Sequence, residues 1–383
     1  MSERADVIVV GGGIVGVSVA YAVSRLGRRV ILLEERTIAS GTTGASFSWL
    51  NATAKTDNQH YHALNRRGLE RHLELAAEWG EDAVGLAGTG SIHWSYPGAA
   101  DGGPAALLAR AEKLDAWAYP TVLLDRRGLG ALEPYIDFPH GSQGFLAPLD
   151  RWLDAPRMVR RMAVETCEEG GDIREGALVT GFAFDGNAVV GVEAPPYSIF
   201  APQIVLAGGT ALSALSARAR RSLARALPVR PSPGLLVDTL PLERAWLRHV
   251  VYFPDGAGFH MRPTFDGGVC LGADDIDEQH AGRHEDSLLT GATALLHRAT
   301  DFLPDFPALE QAAAAHTRIG VRPMPEDGLP IVGPLSAVPQ VYVVATHSGI
   351  TLGPYLGDLV AREVVLGAQQ AELEPYRPQR FGQ

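Results

Sequence analysis

Arg322 stands directly before Pro323. A residue so placed is biased to an extended backbone, and a planar guanidinium matches a carboxylate with two parallel hydrogen bonds. The same arginine also suits a structural ion pair. His260 and His347 are imidazoles able to orient a ligand or move a proton near neutrality. Each also has a plainer reading, as a histidine that only holds its strand or loop. At the other end of the chain, Gly11-Gly12-Gly13-Ile14-Val15-Gly16 spells G-x-G-x-x-G. Gly11 permits a tight turn, Gly13 lets a pyrophosphate approach the backbone, and Gly16 lets helix and strand pack closely. The following helix, opening at Ile14 and Val15, offers free N–H groups to phosphate. Glu34, followed by Glu35, ends the next apolar run, where a carboxylate accepts hydrogen bonds from ribose hydroxyls.

The elements needed to position these groups are legible around them. Val7 to Val10 is a short apolar run, as expected of a parallel strand buried on both faces. Helical spacing runs through Val19, Ala20 and Val23 to Leu26, Gly27 ends it, and Arg29 to Leu33 forms a second strand. Strand, glycines, helix, strand and terminal acid therefore occur in the order a dinucleotide fold requires. Next comes a hydroxyl-rich loop containing Ser40, Thr42, Thr43, Ala45 and Ser46, which suits either a second phosphate or a surface linker.

Asn58 to Trp79 reads as an amphipathic helix with Tyr61, Leu64, Leu69, Leu73 and Ala76 on one face. Gly85 to Pro139 reads as a less regular insertion. Pro156 to Glu169 is expected to be helical and Ala177 to Thr180 to be a strand. Gln203 to Gly209 reads as a buried strand ending in glycine, carrying Ala207 and Gly208 to its tip. Beyond Pro228, extended runs with turn signals predict an antiparallel sheet. Its hairpin around Thr264-Phe265-Asp266-Gly267-Gly268 puts His260 and Arg262 on one face. Val341 to Ala345 is a strand, and Leu352 to Leu366 has helical spacing. A helix N-terminus near Gly349 would place partial positive charge at a site.

Three segments together resemble the flavin amine oxidases of the D-amino-acid oxidase, glycine oxidase and monomeric sarcosine oxidase group. They are Gly11–Gly16 with Glu34, the Ser40–Ser46 loop, and the C-terminal pair Gly320–Gly333 and Val341–Pro354. The resemblance implies an α/β plus β architecture: an FAD-binding Rossmann-like domain with a mainly antiparallel β-sheet substrate domain. It implies a discontinuous cofactor domain at 1–82, 150–226 and 319–383, with the substrate domain at 83–149 and 227–318. It places FAD against the Ser40–Ser46 loop, Val179, Ala207, Gly208 and the turn Gly349-Ile350-Thr351-Leu352. In glycine oxidases the arginine of the Arg-Pro pair binds the substrate carboxylate, and the strand of His260 offers a tyrosine to the substrate. The implied reaction is oxidation of a primary or secondary amine, such as an amino acid. Hydride passes to flavin N5 and an imine forms, so no protein base is needed, and oxygen or another acceptor reoxidises the flavin.

There are departures from the family pattern. The Thr346–Pro354 turn is shorter than in many relatives. Cys270 stands where sarcosine oxidases carry the lysine that promotes oxygen reaction, and neither Lys55 nor Lys113, the two lysines of the chain, matches that position. Arg322–Gly333 contains no cysteine and Gly44-Ala45 no histidine, so FAD is expected to be noncovalent. Two other readings stay open: a 2-hydroxy acid dehydrogenase or tailoring oxidase using His260 or His347 as base, and a flavin-binding electron-transfer subunit of a complex.

Composition excludes several classes. A formal net charge of −11 opposes binding to a phosphate backbone, so no nucleic-acid partner is expected. Two distant cysteines, Cys167 and Cys270, supply neither a disulfide framework nor a metal spacing. The uncharged run from Val7 to Val23 lacks a preceding basic region and is broken by four glycines, unlike an export signal or membrane span. A cytoplasmic protein without membrane insertion is expected, and nothing in the pattern specifies an oligomer.

Overall fold

The computed structural model describes residues 2–220, 226–280, 284–308, 311 and 316–382. The strand Val7–Val10 lies at the middle of a six-stranded sheet whose order is Asp172–Arg174, Val30–Leu33, Val7–Val10, Gln203–Leu206, Val338–Ala345, Ile331–Leu335. All pairings are parallel except the last. Val7, Ile8, Val9 and Val10 are all buried, as a strand covered on both faces must be. One face packs on the helices Ile14–Arg25, Ala155–Glu168 and Gly349–Leu366. The other is covered by the four-stranded sheet that includes Ala188–Ala194 and by the helix Leu212–Ala219.

The second large sheet has eight strands among the described residues, in the order His316–Pro325, Val229–Asp238, Val269–Gly272, His260–Pro263, Val250–Tyr252, Ser91–Ser95, Gln143–Ala147, Val122–Asp125. Only Val250–Tyr252 with Ser91–Ser95 runs parallel, so the mainly antiparallel sheet expected from the sequence is present.

Individual elements follow local chemistry. The helix Gln59–Trp79 starts where the Asn58 side chain accepts from the Tyr61 N–H at 3.0 Å. Ala155–Glu168 starts where Asp154 accepts from the Arg157 N–H at 3.1 Å. Gly349–Leu366 carries Pro354 inside it. Proline has no N–H for the carbonyl four residues earlier, that of Ile350. The buried His72 ring fills the gap, its Nε2 lying 2.8 Å from the Ile350 oxygen. Donating from Nε2 suits the neutral imidazole that burial enforces, with a pKa lowered to about 4.

Some sequence expectations need correction. Gly85 to Pro139 is regular: it holds Ser91–Ser95, the 14-residue helix Gly103–Ala116, Val122–Asp125 and the helix Arg126–Leu132. Gly102 and Gly103 mark the start of its longer helix, and Gly128 and Gly130 lie inside the shorter one. Ala177 to Thr180 is not a strand but an extended crossing of the cofactor sheet's end. Its N–H groups bond the Glu34 and Glu193 carbonyls instead of a ladder. The C-terminal helix starts at Gly349, three residues before its apolar spacing becomes visible.

Candidate functional site

One cavity of about 1160 Å³ connects the two large sheets. It exceeds the roughly 300–1,000 Å³ usual for one small ligand, leaving room for a dinucleotide and a substrate. The nucleotide end is formed by Gly11 to Val15, Glu34, Glu35, Ser40, Thr42, Thr43, Ala45, Ser46, Val179, Ala207 and Gly208. Gly349, Ile350 and Thr351, the first turn of the C-terminal helix, line the same cavity. Two residues expected at the cofactor do not line it. Gly16 lies behind the turn: a Cβ there would meet the Gly11 oxygen at 1.9 Å, so its role is to permit the turn. Leu352 is fully buried in the helical core, because the helix turns its side chain away from the opening.

The residues present fit FAD. A Cβ built at Gly13 would meet only the Thr43 Oγ1, at 3.2 Å, so the space beside this glycine belongs to the cavity. The first-turn N–H groups of a helix have no intrahelical partners; that of Ile14 donates to Thr43 Oγ1 at 3.1 Å. Glu34 is held rigidly, accepting from the Gly12 N–H at 2.6 Å and the Arg36 N–H at 2.9 Å. Each carboxylate oxygen retains acceptor capacity for a hydroxyl.

The other end of the cavity brings together Arg322, His260 and His347 from three separate elements. Arg322, in His316–Pro325, donates from Nη2 to Asp277 at 2.8 Å, and its Nη1 makes no hydrogen bond to a described residue. Arg322 is therefore ion-paired with Asp277 and also lines the cavity. Asp277 also accepts from the Leu235 N–H at 2.6 Å. Burial outweighs these stabilising partners and raises its pKa to about 6.

His260 lies 2.7 Å through Nδ1 from the Gly258 oxygen. Burial lowers its pKa, favouring a neutral ring that donates from Nδ1 and keeps its lone pair on Nε2. The ring stacks on Tyr252 at 5.1 Å, and Tyr252 stacks on His93 at 5.3 Å. Phe47 meets His260 edge-on at 4.4 Å. His347 is pushed down to about 3, first by burial and then by the charges of Lys55 and Arg322. Arg262 shares the His260 face but is structural, donating to the Phe47 and Pro263 carbonyls at 2.5 and 2.7 Å.

Sequence reasoning missed several lining groups: Trp49, Tyr252, Asp274, Asp277 and Lys55. Tyr252 ends a three-residue strand, too short to show alternation. Trp49 is anchored by Asp150, which accepts from its indole nitrogen at 3.1 Å and from Thr53 and Ser91. That carboxyl is wholly buried. Among the described residues no group of acids, histidines or cysteines is arranged to hold a metal ion, and no helix is long and apolar enough to cross a membrane.

Comparison with known proteins agrees with this geometry. Glycine oxidase of Geobacillus kaustophilus (strain HTA426) is 26% identical over 397 residues, covering 98% of this chain and 97% of its own. The crystal structure of that glycine oxidase superposes with a TM-score of 0.83 at 23% identity, over 99% of both chains. L-proline dehydrogenase from P. horikoshii superposes with a TM-score of 0.84 at 22% identity, covering 100% of this chain and 99% of its own. The family model described as DAO, FAD dependent oxidoreductase, matches residues 6–363. The chain belongs to that family and is an FAD-dependent oxidoreductase.

Proposed function

We propose that this enzyme oxidises an amino acid or a related primary or secondary amine. The observation that carries the reading is Arg322, whose Nη1 makes no hydrogen bond to a described residue, lining the same cavity as the dinucleotide loops. Arg322 holds the substrate carboxylate, which fixes the Cα–H bond relative to the cofactor. FAD, when bound, supplies a two-electron acceptor. The substrate loses a hydride from Cα and a proton from nitrogen, and the resulting imine is hydrolysed by water. A neutral amine needs no protein base, and burial keeps His260 and His347 neutral, so neither adds a cation that would repel an ammonium. Tyr252, Trp49 and Phe47 supply an apolar wall that excludes water.

The named activities of the glycine oxidase and L-proline dehydrogenase relatives support this reading. We assign the nucleotide-end residues to FAD, with Glu34 at the ribose, Thr42, Thr43 and the Gly13 turn at the phosphates, and the Gly349 turn at the flavin. We divide the chain into cofactor segments 1–82, 150–226 and 319–383 around substrate segments 83–149 and 227–318. The FAD is noncovalent, since neither cysteine lines the cavity, and oxygen or another acceptor completes the cycle. The test is anaerobic flavin bleaching with glycine, sarcosine, D- and L-amino acids and 2-hydroxy acids. Bleaching by an amine supports the proposal; bleaching by hydroxy acids alone refutes it. The second reading, hydroxy-acid oxidation, draws on the Nε2 lone pair of His260 as a base for the hydroxyl proton.

A further inference from the structure

Arg322 is not the only cation at the substrate end. Lys55 lines the same cavity and makes no ion pair with a described residue. Its ammonium lies over the Tyr61 ring, 5.7 Å from the centroid. The Tyr61 hydroxyl in turn donates to Ser348 Oγ at 2.7 Å, beside His347. The lysine rides on a firmly held turn. Its own N–H donates to the Ala52 carbonyl at 3.0 Å, and the Asn51 side chain accepts from the Ala54 N–H at 3.1 Å. The Thr53 hydroxyl donates to Asp150, and its carbonyl accepts from Arg110 at 3.0 Å.

The charge inventory separates the two cations. Asp277 shares the charge of Arg322 at 2.8 Å, and Arg322 Nη1 still makes no hydrogen bond to a described residue. Lys55 has no ion-pair partner among the described residues, and burial lowers its pKa to about 8. A partly buried ammonium without a counter-ion is poorly stabilised, so an anion that enters the cavity gains by pairing with it. Lys55, Arg322 and His347 line the same cavity. One carboxylate of a substrate takes the unbonded Nη1 of Arg322; a second anionic group would supply the counter-ion that Lys55 lacks among the described residues.

We infer that Lys55 is a specificity-determining residue that binds a second anionic group, so that the substrate is an amine bearing two carboxylates, one on Cα and one on the side chain or nitrogen substituent. The inference rests on the amine-oxidation reading for the word substrate, but its test needs no turnover. Oxidised holoenzyme is titrated with acetate, malonate, succinate and glutarate, following the perturbation of the flavin visible spectrum. At least one dicarboxylate binds wild type about tenfold or more tighter than acetate, the scale of one partly desolvated ion pair. In Lys55→Met that advantage collapses to within about threefold while acetate binding is kept, and Lys55→Arg retains it.

The proposal is overturned if wild type does not discriminate, or if Lys55→Met weakens acetate and dicarboxylates equally. An altered flavin spectrum in ligand-free Lys55→Met, with discrimination intact, assigns the lysine to the cofactor and also overturns it. FAD content of each variant reports folding, and Lys55→Gln, which also removes the charge, takes the place of Lys55→Met if that variant does not fold: loss of dicarboxylate discrimination supports the proposal and its retention overturns it. Should no amine bleach the flavin, the amine reading fails separately, because dicarboxylate discrimination is read without catalysis.

Discussion

Replacing Arg322 by Met removes the fork assigned to the substrate carboxylate while keeping an unbranched side chain of similar reach. Two charge-assisted hydrogen bonds are at stake, each worth about 1.5–3 kcal/mol in a dry site. The arginine side chain is 32% exposed and already shares its charge with Asp277. The lower end of the range therefore applies, and a total of about 3 kcal/mol corresponds to roughly a hundredfold rise in half-saturation. Arg322→Lys keeps the charge but loses the planar fork, with an intermediate loss of about tenfold. The assay is anaerobic stopped-flow flavin reduction by an amino acid and by the corresponding amine without a carboxylate.

The amino acid should show the raised half-saturation with little change in limiting rate, and the carboxylate-free amine should be unaffected. Asp277 adds a signed pH effect. Its pKa is raised to about 6, so above that pH it is charged and competes for Arg322. As pH falls through about 6 it takes a proton, Arg322 is released, and amino-acid binding tightens. Asp277→Asn removes that dependence and binds well throughout. An Arg322→Met enzyme whose half-saturation moves less than about threefold, or whose carboxylate-free amine suffers equally, refutes the assignment.

Other predictions follow from single contacts. Gly16→Ala drives a Cβ to 1.9 Å from the Gly11 oxygen, so the turn must shift and the protein should purify largely without FAD, read by its visible absorbance. Acid precipitation of wild type should leave the flavin in the supernatant; yellow precipitate contradicts noncovalent binding. Asp150 has its pKa raised to about 6 by burial, against hydrogen bonds from Ser91, Tyr119 and Thr53. Its folded pKa lies above the unfolded value of 3.8, so its stabilising contribution is full below about 4 and is lost as pH rises through about 6. Relative to Asp150→Asn, wild type should therefore lose up to about 3 kcal/mol between pH 4 and 7, measured by denaturant unfolding with excess FAD.

Much of the cofactor half was legible because its information is local. The Val7–Val10 strand, the glycine turn, the Ile14–Arg25 helix and Glu34 are consecutive, and each residue type has one evident reason to be there. The helix after Asn58 and the helix after Asp154 carried both period and cap. The expectations that failed had competing signals. Gly102 and Gly103 hid the start of a helix, and apolar Ala177 to Val179 read as a strand although the chain only crosses the sheet's end.

By itself the sequence determined the parts: a dinucleotide turn, a second sheet of extended runs, an arginine before a proline, and two candidate histidines. Only the tertiary structure decided what they do to one another. Arg322 and Asp277 are 45 residues apart, and Thr351 meets the Asn51 N–H across 300. How the helix Asp274–His280 packs beside the strand of Arg322, and how the C-terminal helix meets the chain at Asn51, sets such neighbours, and spacing along the chain does not. The charge state of Lys55, His347 and Asp150 likewise depends on how much water the assembled core removes, and that quantity exists only once the chain is folded.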